Sequence, residues 1–148
     1  MKPEILIREL SESEIPEALS LVWKTFLEFE APDYSEEGIA EFRKSINAPE
    51  YLSQLRIFGA FDEKKLMGVI ATRMGGNHIA LFFVDGKYHR KGIGKRLFQI
   101  VKAECSDGKI TVNSSPYAVE IYKRLGFCPT DSEQTVTGIR FTPMEFVL

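Results

Sequence analysis

Cysteine is scarce in this chain of 148 residues. Cys105 and Cys128 are the only two, far apart and outside any C-x-x-C pair, which excludes a disulfide scaffold and a cysteine-based zinc site. His78 and His89 have no metal-ligand partners at motif spacing, so no metal is expected. Long apolar runs are missing as well. The longest, Ile79 to Val84, is strand-sized, far short of the ~18–20 residues of a membrane helix. Glu4, Arg8 and Glu9 deny the N-terminus the apolar core of a signal peptide. The expectation is a cytoplasmic protein with no membrane partner. Charge of one sign is not in surplus either: Lys+Arg 19 against Asp+Glu 21 gives a net charge of -2, which argues against a whole surface built to grip nucleic acid. Repeats, low-complexity tracts and Pro/Gly/Ser linkers are absent, so residues 1–148 read as one domain.

What is present is the balance of an ordinary globule, 44% hydrophobic and 27% charged, which rules out wholesale disorder. A chain of this size buries roughly 68–70% of its unfolded surface, enough for a core without staples. Ile5 and Ile7 suggest a short first strand. Ser11 and Glu14 have capping-box spacing and Pro16 falls in a first helical turn, followed by Ile15, Leu19, Val22 and Phe26 on one face. A second helix is expected from near Asp33 or Ser35, with Ile39, Phe42 and Ile46 as its stripe; Glu30 to Asp33 is a loop. Leu55 to Phe61, Leu66 to Arg73 and His78 to Val84 read as strands separated by polar or Gly-rich turns, the third buried on both faces. A helix carries Ile93, Leu97, Val101 and Cys105; Lys109 to Asn113 is a strand; Ser115-Pro116 opens a helix that Gly126 closes; two strands fill the tail. The order βααβββαβαββ describes a single-domain α/β fold with a mixed, mostly antiparallel sheet flanked by helices.

A buried strand that runs into a Gly-rich loop and then a helix is a phosphate-binding device. The first helical turn has N–H groups without partners, the helix dipole adds positive potential, and glycine admits close approach. Here the loop is His89-Arg90-Lys91-Gly92-Ile93-Gly94, followed by Lys95-Arg96. A Walker A loop fails, because Arg96 follows Gly94-Lys95 and His89 occupies the first glycine position. The dinucleotide pattern G-x-G-x-x-G fails because Leu97 stands at its third glycine.

The loop closely resembles [QR]-x-x-G-x-[GA], the pyrophosphate loop of the GNAT superfamily of acyl-CoA-dependent N-acyltransferases. Val84 precedes Gly92 by eight residues, the usual family spacing. Downstream, Val112-Asn113 ends a strand, and Ala118 to Phe127 resembles the family's A-x-x-x-Y-x-x-x-G-F segment. As an ordered set these motifs are specific; they cover about Ile79 to Phe127, and the element order extends the likeness over the chain. Two positions depart from the pattern. His89 replaces Gln or Arg, with Arg90 a substitute for the side-chain contact, and Asp85-Gly86 stands where the family often has proline.

The resemblance implies a GNAT-like fold and an N-acetyltransferase with acetyl-CoA as co-substrate. By that likeness the backbones of Phe82 and Val84 hold the pantetheine arm and the amides of His89, Arg90, Lys91, Gly92, Ile93, Gly94 and Lys95 hold the pyrophosphate. Asn113 reaches the arm from the other side and Tyr122 sits near the thioester sulfur as the catalytic acid. A thiol of pKa ~8.5 and a tyrosine of ~10 make that proton transfer mildly uphill. A lysine-like amine costs about 4 kcal/mol to deprotonate near neutral pH, so a base is expected on the acceptor side; Glu28, Glu30, Asp33 and His78 are the candidates. Phe29 and Tyr34 are candidate walls of the acceptor pocket.

Plainer readings stand beside these. Lys87, Arg90, Lys91, Lys95 and Arg96 could form a nucleic-acid patch, but no stacking aromatics interleave them; no nucleic-acid partner is expected. Tyr122 has the spacing of a core residue and Asn113 that of a turn former. The fold could also hold CoA as a non-catalytic sensor. The acceptor, a small-molecule or protein amine, has no diagnostic motif, and the edge strands of such a sheet can pair in a homodimer.

Overall fold

The structure is a computed structural model that describes residues 5–148. Strand β1 (Ile5–Glu9) leads through a 3-10 turn (Glu12–Glu14) into α1 (Ile15–Phe29). The expected capping pair forms, with the Glu14 carboxylate accepting the Ser11 N–H at 2.9 Å. After a 3-10 turn at Ala31–Asp33 comes α2 (Glu36–Ile46), capped by Ser35, whose Oγ accepts the Gly38 N–H at 3.2 Å. A single turn, α3 (Pro49–Leu52), then precedes three antiparallel strands, β2 (Arg56–Asp62), β3 (Lys65–Arg73) and β4 (His78–Val84). The remainder is α4 (Ile93–Glu104), β5 (Lys109–Ser114), α5 (Val119–Leu125), β6 (Cys128–Pro129), β7 (Gln134–Val136) and β8 (Ile139–Val147).

The expected element order holds, with three refinements. α3 is an extra turn. α5 starts at Val119 rather than at Ser115, because Ser115 instead caps the preceding turn, its carbonyl and Oγ both taking the Ala118 N–H at 3.1 and 3.3 Å. The tail makes three strands rather than two: β6 is a two-residue pairing against β8, and β7 and β8 form a hairpin whose central Thr137 and Gly138 both have positive φ, the backbone of a tight two-residue connection.

The sheet order is β1-β2-β3-β4-β5-β8-β6, with β7 beside β8. Every adjacent pair is antiparallel except β4 and β5, which run parallel and pair only at His78↔Thr111 and Ile79↔Val112. The break coincides with a bulge. Ala71 faces Leu81 and Thr72 faces Ile79, so Ala80 is an extra residue with no partner on β3. A bulge bends its strand and shifts the side-chain parity. Ile79 therefore packs toward α4, while Leu81 and Phe83 pack toward α1. Burial on both faces was expected for β4; Leu81 and Phe83 are buried, but Phe82 and Val84 remain half-open because β4 has left β5 behind.

Two apolar layers hold the sheet. Leu97, Phe98 and Val101 of α4 join Ile70, Ile110 and Met144 on one face; Ala18, Val22 and Phe26 of α1 join Val69, Leu81 and Phe83 on the other. Helix α2 is locked onto the β7–β8 hairpin by two facing glycines: a Cβ on Gly38 would lie 2.1 Å from the Gly138 carbonyl oxygen. Gly38→Ala is therefore expected to lose about 1–3 kcal/mol, the ordinary cost of overpacking against backbone, read as a lower urea midpoint. An unchanged midpoint would show that the two backbones are free to part.

Candidate active site

Beyond Val84 the chain turns through Gly86–Tyr88. Asp85 starts this turn, its carboxylate accepting the Lys87 N–H at 3.1 Å and pairing with Lys24 at 3.2 Å. Arg90 (φ 63°) and Gly92 (φ 78°) are left-handed, a conformation that glycine adopts freely. Nothing lies within 4 Å of where a Gly92 Cβ would stand, so the space before the loop is open. The first bond of α4 is Arg96 N–H to the Gly92 carbonyl at 3.1 Å; no backbone acceptor among the described residues takes the amides of Ile93, Gly94 and Lys95. Free amides and a helix N-terminus, with Arg90, Lys95 and Arg124 lining the same groove, form a cradle of positive potential.

The cradle opens into a groove of about 610 Å³ between the free end of β4 and α5. The Phe29 ring, at the end of α1, stands 4.7 Å from His89 and 5.4 Å from Tyr117, so three rings bridge the groove from the loop to the turn before α5. His89 does not aim its side chain at the cradle. Its Nε2 lies 2.7 Å from the Val84 carbonyl oxygen, which ties the loop to the strand end, and its own amide turns to the Gly86 carbonyl at 3.4 Å.

A second cavity, of about 250 Å³, lies between the sheet and the α1–α2 region; Phe82, Phe83, Ala118, Tyr122 and Glu30 line both spaces and form their junction. Tyr122 is buried, with its ring edge-on to Phe82 at 6.0 Å and to Phe127 at 5.2 Å. Burial first, and the Glu30 charge second, push its phenol well above the usual tyrosine value. Glu30 is the C-cap of α1, partly exposed by area but with its carboxyl enclosed by protein. Loss of solvation raises it to about 7; Ser115 hydrogen bonding works against the rise and the Asp33 charge adds to it. A helix C-terminus also disfavours a carboxylate. His78, buried and 2.8 Å from Thr111 Oγ1, is pushed the other way, to about 4, by burial and by the Arg73 charge.

Of the residues singled out in the sequence, Phe82, Val84, His89, Arg90, Gly92, Ile93, Gly94, Lys95 and Tyr122 line the one groove. Lys91 is solvent-exposed, its Nζ 5.8 Å from the Tyr88 ring centre, and Asn113 opens into the smaller cavity instead. Among the four candidate bases, only Glu30 reaches the junction; Glu28 and Asp33 are exposed, and His78 lies deeper in the smaller cavity. Phe29 bridges the groove at the loop, whereas Tyr34 does wall the smaller cavity. Tyr51, Arg73, Ser115 and Tyr117 line one space or the other, and no motif or spacing announced them. A further surface groove of about 870 Å³, between α1 and α3, holds Arg43 stacked on Trp23 but no convergent set of polar groups.

A family model described as an acetyltransferase (GNAT) domain matches residues 30–148. The chain is also similar to a GCN5-related N-acetyltransferase from Rhodopseudomonas palustris, at 19% identity over 100% of this chain and 99% of that one, with a TM-score of 0.82. A second similar structure is the PaiA N-acetyltransferase of Thermoplasma acidophilum in complex with coenzyme A: 22% identity, 98% and 99% coverage, TM-score 0.76. A third is an aminoglycoside 6'-N-acetyltransferase complexed with coenzyme A, at 15% identity, 96% coverage of each chain and a TM-score of 0.62. With the strand–loop–helix cradle in place, the chain belongs to the GNAT acetyltransferase family, and it is an acyltransferase.

The raised Glu30 carboxyl has a consequence for stability. An acid whose folded pKa lies above its unfolded value binds protons more tightly in the folded state, so the protein loses stability as pH rises from about 4.5 to about 7. Glu30→Gln is expected to remove that loss, a gain of up to about 3 kcal/mol above pH 7 and little near pH 4. Urea midpoints of both proteins at pH 4.5 and 8 check it; parallel pH profiles would mean the carboxyl is not desolvated.

Proposed function

We propose that the chain transfers an acetyl group from acetyl-CoA to a primary amine by direct attack in a ternary complex, with Glu30 as base and Tyr122 as acid. The observation that carries this reading is the position of both groups at the junction of the two cavities. The cradle suits the coenzyme: Gly92 leaves open the space a Cβ would fill, and the adjoining amides are unpaired. Free amides from Gly92 to Lys95 hold the pyrophosphate, with Arg90 and Lys95 neutralising its charge. The unpaired edge of β4 at Phe82 and Val84 takes the pantetheine arm as an added strand. His89 keeps that edge and the cradle in one frame through its bond to Val84. Asn113 approaches from the other side of the junction.

The acceptor amine lies in the smaller cavity. Its nitrogen attacks the thioester carbonyl carbon, the C–S bond breaks, and an N–C bond forms. Glu30 takes the proton the amine must lose; a carboxyl near 7 is matched to that task at neutral pH. His78, held near 4, is too weak a base for it. Tyr122 faces the leaving sulfur. Its raised phenol makes full proton transfer uphill, so its first role is a hydrogen bond to the developing thiolate, which the same desolvation strengthens. Much of the acceleration comes from holding the two reactants together.

Thiol release from acetyl-CoA with a panel of primary amines tests the proposal. Glu30→Gln is expected to lower kcat/KM at least 10²-fold and to remove a limb of the pH profile centred near 7. Tyr122→Phe is expected to lower kcat roughly 10-fold or more while calorimetry shows the coenzyme still bound. Coenzyme binding without turnover on any amine would point to a sensor instead.

A further inference from the structure

Arg73, the last residue of β3, lines the 250 Å³ cavity. Its Nε is buried and has no hydrogen-bond partner, the one such side-chain atom among the described residues. Three other arginines hold carboxylates, Arg8 on Glu14, Arg56 on Glu9 and Glu104, and Arg140 on Glu133. No carboxylate among the described residues pairs with Arg73. Its charge acts instead on two uncharged neighbours in the same cavity, Tyr51 and the neutral His78.

A buried donor without a partner is costly, and more so on a cation. The Nε edge of a guanidinium presents two parallel N–H groups, the fork that matches two oxygens of one carboxylate or phosphate. Glu30 does not supply them. Arg73 pairs with His78 at the start of β4, whereas Glu30 shares the junction with Phe82 and Phe83 farther along that strand, so cation and carboxylate stand at separate ends of the cavity. Phe42, Ile79 and Phe83 supply apolar wall to the same cavity. The smaller cavity thus offers an anion site at the β3 end and a proton acceptor at the end that meets the groove, complementary to a molecule carrying both charges.

We propose that the acceptor is a small amine that also bears an oxyanion, a carboxylate or a phosphate, with Arg73 gripping the oxyanion while the amine points to Glu30. This rests on the acetyl-transfer reading above and narrows its acceptor to a class. A cavity of this size, below the ~300–1,000 Å³ of drug-sized sites, suits a single amino acid or a phosphorylated amino alcohol rather than a protein side chain on its surface.

Matched pairs test it at saturating acetyl-CoA: L-phenylalanine against phenethylamine, L-methionine against 3-(methylthio)propylamine, and O-phosphoethanolamine against ethanolamine. The first two pairs report a carboxylate, the third a phosphate. The wild type is expected to favour the anionic member of at least one pair by roughly 10- to 100-fold in kcat/KM, the range for hydrogen bonds to a charged group. Arg73→Gln should collapse that ratio toward one, and Arg73→Lys, which keeps the charge without the fork, should recover part of it. Should the Gln variant melt early, the wild-type ratio and the Lys variant decide. Turnover with no preference in any pair, or a preference that survives Arg73→Gln, overturns the oxyanion site and leaves acetyl transfer standing. No turnover of any amine and no heat on titrating coenzyme A overturns both.

Discussion

A single extra residue in β4 governs the rest of the active region. Ala80 has no partner on β3, and β4 parts from β5 immediately beside it, after two paired residues. A continuous ladder would have sealed the sheet and left no free strand edge. The parting instead exposes hydrogen-bonding backbone from Ala80 onward, an open edge that proteins otherwise cover. Part of it is capped by His89 on the Val84 carbonyl. The rest faces the groove, flanked by the side chains of Phe82 and Val84, which the parity change turns toward α4.

Around that opening the chain gathers groups from distant segments. Glu30 comes from the end of α1, Tyr122 from α5, the amide cradle from the start of α4 and Arg73 from the end of β3. Their electrostatics are set by enclosure rather than by ion pairs. Lost hydration lifts Glu30 and Tyr122 and depresses His78, and each of these shifts favours the neutral form. The cations lie outside this neutral junction, at the cradle on one side and at Arg73 on the other. In the proposed reaction the charged ends of the two reactants are held on either side while the reacting atoms meet at this neutral junction.

Much of the architecture was legible in the chain. The apolar run of β4 and the glycines after it are local signals, because a strand, a loop and a helix N-terminus each have their own residue chemistry. Pro16, Ser11 and Glu14 marked α1 in the same way. What the sequence left unread depends on contacts between segments far apart. The bulge at Ala80 has no composition cue. The two-residue β6 exists only because β8 passes beside it. Glu30 was one of four candidate bases; its distinction is enclosure against Ser115 and Tyr122, more than eighty residues away in the chain. Arg73 looked like the polar end of a strand, and its missing counter-charge is visible only in three dimensions. His89 and Asn113 were read by analogy with a motif, and the structure aims the first at Val84 and the second at the smaller cavity.

In the proposed reaction the open edge of β4 and the unpaired amides at the start of α4 act as one receptor for an extended, diphosphate-bearing chain. Hydrogen exchange resolved to single amides, with and without coenzyme A, tests it most directly. The account predicts strong new protection at Gly92 to Lys95 and at the edge-facing amides of Phe82 and Val84, with β1 and β2 unchanged. Exchange at those amides that is the same with saturating coenzyme, or protection spread evenly over the sheet, would contradict it.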